Sequence, residues 1–387
     1  MTIERHACRG RYALVTLLLV VGALSAPRVL AVPLAADSQS APAGPRSSPS
    51  HPLRAPAGAP NVQALPNLRL DAKGFLGGSD ALMLDRLIQG RVERIKKGSG
   101  GRSLGFKLSF ADGTRGYFKP AQSFSGAIWY AEVAAYHLDR MLGMGRVPPV
   151  VSYRMPWRPL EAAAGSDRRR EEVQANADGT VDGALVYWLP EKLEPAKTPP
   201  GWENWLRITP FERWRVTPYQ RPAAYTRALE QQRTRRKEGA GATSHYDEVP
   251  DLHDPGLAAA LSDMLVLDFL TLNIDRWGGR NGNVLSYGND RPSLIFLDNG
   301  AGFSDGPHRR GLMEDRLEVQ QRFRRATVEA LRGFRISAFE ARLAGEALAP
   351  VLNPHLLAGI EVRRKALLAH VDGLIAKHGE AQVLAWP

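Results

Sequence analysis

The chain has 387 residues, 44% of them apolar and 24% charged, with 51 Lys and Arg against 40 Asp and Glu, a formal charge of +11. These proportions exclude a fibrous or low-complexity chain and fit a soluble globular protein of one large domain or two ordinary ones. The only cysteine is Cys8, so the rest of the chain has no disulfide and no cysteine-based metal site.

Residues 1–31 read as a secretory signal peptide. Arg5, Arg9 and Arg11 precede an apolar run from Ala13 to Ala26, and Val29-Leu30-Ala31 fits the small-residue cleavage pattern. The run is short for a membrane span, and an uncleaved N-terminal anchor is the alternative. This predicts a secreted or periplasmic protein with no stable span once the signal is removed. The signal holds four Arg and one Glu, which leaves +8 on the remainder. A basic surface favours phosphates or acidic substrates, although arginines scattered over a solvated surface account for it equally well. Nothing points to nucleic acid, and no oligomeric state can be read. The Ala, Arg, Gly and Pro bias points to a bacterial source.

Residues 32–73 form a Pro/Ala/Ser-rich linker (SAPAGPRSSPSHPLRAPAGAP within it) that cannot bury enough apolar surface to fold. Order is predicted to begin near Gly74, with DALMLDRLI as a short helix. RVERI, LGFKLSF and RGYFK are three strands of a meander, joined by the glycine-rich turn KKGSGGRS and the hairpin turn ADGT. GAIWYAEVAAYHLDRML (126–142) has helical periodicity, with Ile128, Ala131, Ala135, Leu138 and Leu142 on one side. VVSYRM and VDGALVYWLP are further strands, and residues 161–180 between them read as a mobile loop. Residues 191–245 are irregular and rich in Trp, Pro and Arg. From Pro255 the run GLAAALSDMLVLDFLTLN is apolar on most faces, the pattern of a buried helix. Amphipathic helices follow near 315–333, 337–348 and 355–378. The reading is an α+β protein: a strand-rich lobe over 74–190 and a helical lobe over 191–387, with a cleft lined from both sides.

Four stretches could carry chemistry at that cleft. Gly98 and Gly100 in the first turn could let backbone N–H groups face phosphates; most such hairpins are simply turns. Lys119 ends a strand, and Glu132 sits in an otherwise apolar stretch where an unpaired acid would be costly; together they could form a fixed cation. In NIDRWGGRNGN, Asp275 could accept a proton from a substrate hydroxyl, and Asn283, or Asn281, could offer a metal-ligand oxygen. Ordinary turn chemistry explains the asparagines well. It explains Asp275 less well, because an acid opposes the negative end of a helix dipole. In LIFLDNGAGF, an apolar strand delivers Asp298 to its end, where a carboxylate suits a divalent cation; an Asp-Asn-Gly turn is the plain alternative.

The order of these parts resembles a protein-kinase-like fold, and more narrowly the secretory-pathway kinases of the Golgi casein kinase and four-jointed family. The resemblance rests on YFKP (117–120), AEVAAYHLDRMLGMGRVPPVV (131–151), VDGALVYWLPE (181–191), LSDMLVLDFLTLNIDR (261–276), LIFLDNGAGF (294–303) and PVLNPHL (350–356). It implies a two-lobed fold and transfer of the γ-phosphate of ATP to a Ser/Thr hydroxyl of a secreted protein or to a glycan hydroxyl, with Mn²⁺ or Mg²⁺. It also implies roles: Lys119 on phosphates, Glu132 as its partner, Val186, Tyr187, Trp188 and Leu189 as the hinge beside adenine, Asp275 as base and Asp298 as metal ligand. Three departures stand out. Ala127 replaces an acid often used for metal, Arg280 stands where some members carry a glutamate, and the disulfides of animal members are absent. They keep open two rivals, a pseudokinase that binds or scaffolds without transfer, and a kinase-fold enzyme that transfers AMP.

Overall fold

A computed structural model describes residues 74–196, 198, 202–209, 218–219, 254–277, 283–288, 293–304 and 306–387. The expected signal peptide, the linker, Asn281, Arg280 and nearly all of 210–253 lie outside the described residues. The chain divides at Ser50, and the architecture below belongs to the second unit, residues 51–387.

The helix α1 spans Asp80–Gln89, with the Ser79 hydroxyl accepting from the Leu82 N–H at its start. Then come β1 (Val92–Lys97), β2 (Phe106–Phe110) and β3 (Arg115–Pro120), an antiparallel meander with Ile95 opposite Leu108 and Lys107 opposite Tyr117. Alternation drives it: Phe106, Leu108 and Phe110 point inward while Lys107 points out. The helix α2 spans Trp129–Met141, and β4 (Val150–Pro156) and β5 (Thr180–Tyr187) complete a five-stranded antiparallel sheet in the order β1-β2-β3-β5-β4. The close approach of β3 and β5 needs Gly183, where a Cβ would lie 2.5 Å from the Lys119 carbonyl oxygen and 2.6 Å from the Phe118 ring.

Residues 161–180 are not a mobile loop. Helix α3 (Trp157–Ala164) follows β4 directly, and a 3-10 turn over Arg168–Glu172 is tied by ion pairs to the β1–β2 turn. The charges that made the stretch look solvated are its fastenings.

The expected single apolar side of α2 is also too narrow, since Ala131 to Arg140 are all buried. Its polar residues are paired rather than exposed. Arg140 reaches Asp80 at 2.5 Å and the Val147 carbonyl at 2.8 Å, and His137 lies 2.6 Å from Glu346. Glu346 also accepts from the Ser152 N–H at 2.7 Å, so α2, the sheet and the C-terminal helices share one joint.

The second half opens with β6 (Glu194–Pro195) and a 3-10 turn at Trp202–Leu206. The helix α4 (Pro255–Thr271) starts at a capping Asp254, whose carboxylate accepts from Leu257 N at 2.8 Å. It is buried on nearly every face, as its sequence predicts. β7 (Leu285–Tyr287) and β8 (Ser293–Ile295) pair with β6 in the order β6-β7-β8. The expected strand SLIFL pairs with β7 over Ser293–Ile295 and then leaves the sheet, with Phe296 N–H donating to the Arg146 carbonyl at 3.1 Å on the way to Asp298.

Four longer helices follow: α5 (Pro307–Val319), α6 (Arg325–Gly333), α7 (Ile336–Leu343) and α8 (Pro354–His378), with a short α9 (Glu380–Val383). The stretch 315–333 is two helices. Between them Gln321 and Arg322 donate to the Leu206 carbonyl at 2.7 and 3.0 Å, and Phe323 donates to Val383 at 2.7 Å. Amides committed to other segments cannot continue a helical ladder. No helix among the described residues is long and apolar enough to cross a membrane.

Candidate functional site

The site is assembled where β3, α2, the end of α4 and the end of β8 meet. Lys119 leaves β3, opposite Ala184 in β5, with its side chain about one fifth exposed. Its ammonium contacts the Glu132 carboxylate in the first turn of α2, and it lies 2.7 Å from Asp298 Oδ1. Glu132 is 2% exposed, so the acid that looked costly in the sequence has the cation it needs. Burial works against the charge of Lys119, but Asp298 and Glu132 outweigh it and hold its pKa above the usual lysine range. The charge of Lys119 in turn pulls Asp298 below the usual carboxylate range, against the opposing effect of burial.

Asp298 is half exposed and stands in a left-handed backbone conformation, φ 59°. Aspartate tolerates that region better than most residues. Gly300 follows, and its carbonyl accepts from Ile128 N at 2.9 Å, so the loop is pinned to the start of α2. A Cβ at Gly300 would lie 3.3 Å from Glu132 Oε1. Gly300 therefore serves a close approach to α2 as well as a turn.

Asp275 opens a 3-10 turn after α4, which ends at Leu272 with φ 55°. Its N–H donates to Asn273 Oδ1 at 3.3 Å, and Asn273 Nδ2 donates to the Asp298 carbonyl at 3.4 Å, so one amide side chain spans both loops. Burial raises the Asp275 pKa above the ordinary aspartate value, and the charge of Asp298 raises it further; Arg309 and Arg276 oppose both. What the sequence reading did not single out is the residue beside it. Arg276 is fully buried, with Nε 2.9 Å from Asp268, Nη1 2.6 Å from the Leu297 carbonyl and Nη2 2.7 Å from Asn299 Oδ1. It fastens the Asp275 turn to the strand that presents Asp298. A signal existed: Asp268 is an acid inside VLDFL, and a buried acid calls for a partner.

The glycine-rich turn divides the roles expected of it. At Gly98 a Cβ would lie 2.3 Å from Tyr117 Oη, so that glycine permits a close approach. At Gly100 a Cβ would meet nothing within 4 Å. Of the expected hinge, Val186 and Tyr187 still belong to β5, and only Trp188 and Leu189 lie in the connection beyond it. Trp188 stacks on Tyr117 with centroids 5.1 Å apart, and its N–H donates to the Arg115 carbonyl at 3.0 Å. Val186 and Leu189 are buried. Asn283 sits in the turn before β7, next to residues outside the described ones. No cluster of three or more His, Cys, Asp or Glu able to hold a metal occurs among the described residues. Metal chemistry here would rest on Asp298 with ligand oxygens from a bound phosphate.

No known protein-family profile matches the chain. It is 26% identical over 349 aligned residues to the human extracellular serine/threonine protein kinase FAM20C, covering 78% of this chain and 55% of that one. It is 26% identical over 286 residues to the human glycosaminoglycan xylosylkinase, covering 66% and 62% respectively. The human pseudokinase FAM20A is 25% identical over 290 residues, covering 66% and 48%. The chain thus spans less than two thirds of each of these relatives, and their animal origins give the bacterial reading no support. Among solved structures, hydra Fam20 with sugar superposes with a TM-score of 0.59 at 21% identity, over 81% of this chain and 95% of that one. The Golgi casein kinase with Mn/ADP bound gives 0.55 at 18% identity, over 81% and 80%. The fold is therefore the two-lobed kinase-like one, and the chain is a distant relative of the Golgi casein kinase group of secretory-pathway kinases.

Proposed function

We propose that the chain is an exported phosphotransferase that moves the γ-phosphate of ATP to a Ser/Thr hydroxyl of a secreted protein or to a sugar hydroxyl. One observation carries this reading: the Lys119 ammonium contacts both Glu132 and Asp298, while the Asn273 side chain ties the Asp275 turn to the Asp298 carbonyl. Phosphoryl transfer asks a protein mainly for positioning and charge, and these are the groups it needs. Lys119 would hold α- and β-phosphate oxygens, with Glu132 fixing its direction. Asp275 would accept the acceptor hydroxyl's proton as that oxygen bonds to the γ-phosphorus and the bond to ADP breaks. The amides around Gly98 and Gly100 would cover the phosphates, and the Val186–Leu189 strip would flank the base.

Asp298 is the carboxylate that fits Mn²⁺ or Mg²⁺; such an ion would neutralise charge on the phosphate oxygens. Its half-exposed position at a loop end suits a hard cation. Asn283 is a second oxygen donor that this reading takes from the sequence alone. The relatives' names include both a protein kinase and a xylosylkinase, which supports either acceptor class.

A pseudokinase is the second reading. It is favoured by a named pseudokinase relative at nearly the same identity, and by Ala127 where a metal-binding acid often stands. Incubation of the mature protein with γ-labelled ATP and Mn²⁺, against casein and a xyloside, separates the two. Label transfer that disappears in Asp275→Ala and Asp298→Ala supports the enzyme. Nucleotide binding without transfer supports the pseudokinase, and no binding at all removes both.

A further inference from the structure

The turn between β1 and β2 is held from outside by the segment that joins α3 to β5. Asp167 accepts from Arg169 Nε at 3.0 Å and from Nη2 at 2.7 Å, and it also pairs with Lys97 at 2.9 Å. That bidentate pair leaves Arg169 Nη1 aimed at the turn, where it donates to the Gly101 and Ser103 carbonyls, both at 3.0 Å. Three residues further on, Glu172 takes both Nη atoms of Arg102, at 2.8 and 2.6 Å, and the Arg102 guanidinium lies 4.4 Å from the centre of the Phe124 ring. The Glu172 carbonyl accepts from Ser123 N at 2.8 Å, in the segment that leads into α2.

Peptide geometry gives this strap a consequence. The C=O and the following N–H of a planar peptide point in opposite directions. A guanidinium that captures the Gly101 carbonyl therefore turns the Arg102 N–H away from the strap. Gly101, at φ +79°, supplies the conformation this requires. The other captured peptide, after Ser103, has its N–H donated to Gln122 Oε1 at 2.7 Å, which fixes the far end of the turn. The turn also packs on β3 two residues from Lys119, since a Cβ at Gly98 would lie 2.3 Å, and one at Gly105 2.5 Å, from the Tyr117 side chain.

We propose that Arg169, oriented by Asp167, is a positioning residue for nucleotide: it holds the glycine-rich turn in the posture that directs its free amides at the triphosphate. The inference rests on the proposed phosphotransferase reading. Arg169 touches no substrate in it; its four side-chain hydrogen bonds go to Asp167 and the turn, and its backbone N–H donates to Asp167 Oδ1. A lysine cannot reproduce a fork that grips a carboxylate and two carbonyls at once.

The test compares wild type with Arg169→Gln and Arg169→Lys in the full mature protein. Affinity for a fluorescent ATP analogue with Mn²⁺ is read alongside thermal midpoint and amide exchange over residues 98–106. The expected result is analogue affinity down about tenfold in Arg169→Gln, with partial recovery in Arg169→Lys. Exchange over 98–106 accelerates while the thermal midpoint stays close to wild type. If transfer is observed, the KM for ATP rises more than kcat falls. Wild type that binds the analogue, with Arg169→Gln binding it equally, overturns the inference and leaves the phosphotransferase reading standing. Unchanged exchange over 98–106 overturns it as well, whatever the nucleotide does. Wild type that binds no nucleotide overturns the functional reading itself.

Discussion

Two ionic clusters sit a few residues apart in this protein and behave differently. In the first, Lys119 lies between Glu132 and Asp298, with Asp298 half exposed. In the second, Arg276 lies against Asp268 with both side chains 0–1% exposed, and its remaining donors go to Leu297 and Asn299. The chemistry is the same, a cation shared among oxygens, but the surroundings differ. The open cluster keeps a carboxylate where a ligand can compete for it. The closed one has no such vacancy, and it holds the Asp275 turn and the Asp298 strand in fixed relation. A site needs both kinds, since charges that are to be exchanged must be mounted on charges that are not.

The comparison breaks most sharply in the open cluster. Asp298→Asn and Asp275→Asn should each lower phosphoryl transfer by about 10³-fold or more while leaving the fold intact, because each removes a group that the proposed mechanism places at the reacting phosphate or hydroxyl. Transfer rates paired with thermal melts check this, and a large loss of stability would place both residues in the frame instead.

The closed cluster should give the inverse. Arg276→Met leaves Asp268 buried without its partner, which costs about 3–5 kcal/mol in denaturant unfolding. A variant that unfolds at the wild-type denaturant concentration would contradict the division drawn here.

Lys119→Met falls between the two. It should lower transfer by about 10²-fold, a smaller loss than removing the base or the metal carboxylate, and should cost a few kcal/mol because Glu132 loses its cation in a buried position. The double variant Lys119→Met with Glu132→Gln should recover the stability and not the transfer, which unfolding curves and rates separate directly.

The smallest effect is in pH. Burial and the Asp298 charge both raise the Asp275 pKa. A base must be ionised to act, so the acid limb of kcat/KM should lie above the ordinary aspartate range. The sign for stability is opposite: a carboxyl raised in the folded state favours folding below its unfolded value, and that contribution fades as pH rises through the folded one. In the metal-free protein, Asp298→Asn should bring the Asp275 titration down, as followed by carboxyl NMR. An unmoved titration would mean the two acids are not neighbours in any electrostatic sense.

Much of the fold was legible because it follows local rules. The β2 pattern alternates over Phe106, Lys107 and Leu108, and α4 is apolar all round; both survive as read. Lys119, Glu132, Asp275 and Asp298 were legible because each sits where its type is conspicuous, an ion at the end or in the middle of an apolar run. What the sequence hid depends on partners far along the chain. Arg169 looked like part of a solvated charge run, yet it reaches Gly101 across 68 positions. Arg140 lies off the apolar side expected of α2, yet it is buried against Asp80.

The most direct test of the shared centre is the anomalous signal of Mn²⁺ in crystals grown with ADP. The account predicts a manganese peak within about 2.0–2.6 Å of an Asp298 oxygen, with Lys119 still held by Glu132 but turned from Asp298 to a phosphate oxygen. A nucleotide bound elsewhere, or manganese absent from Asp298 while Lys119 keeps its contact with that carboxylate, would contradict it.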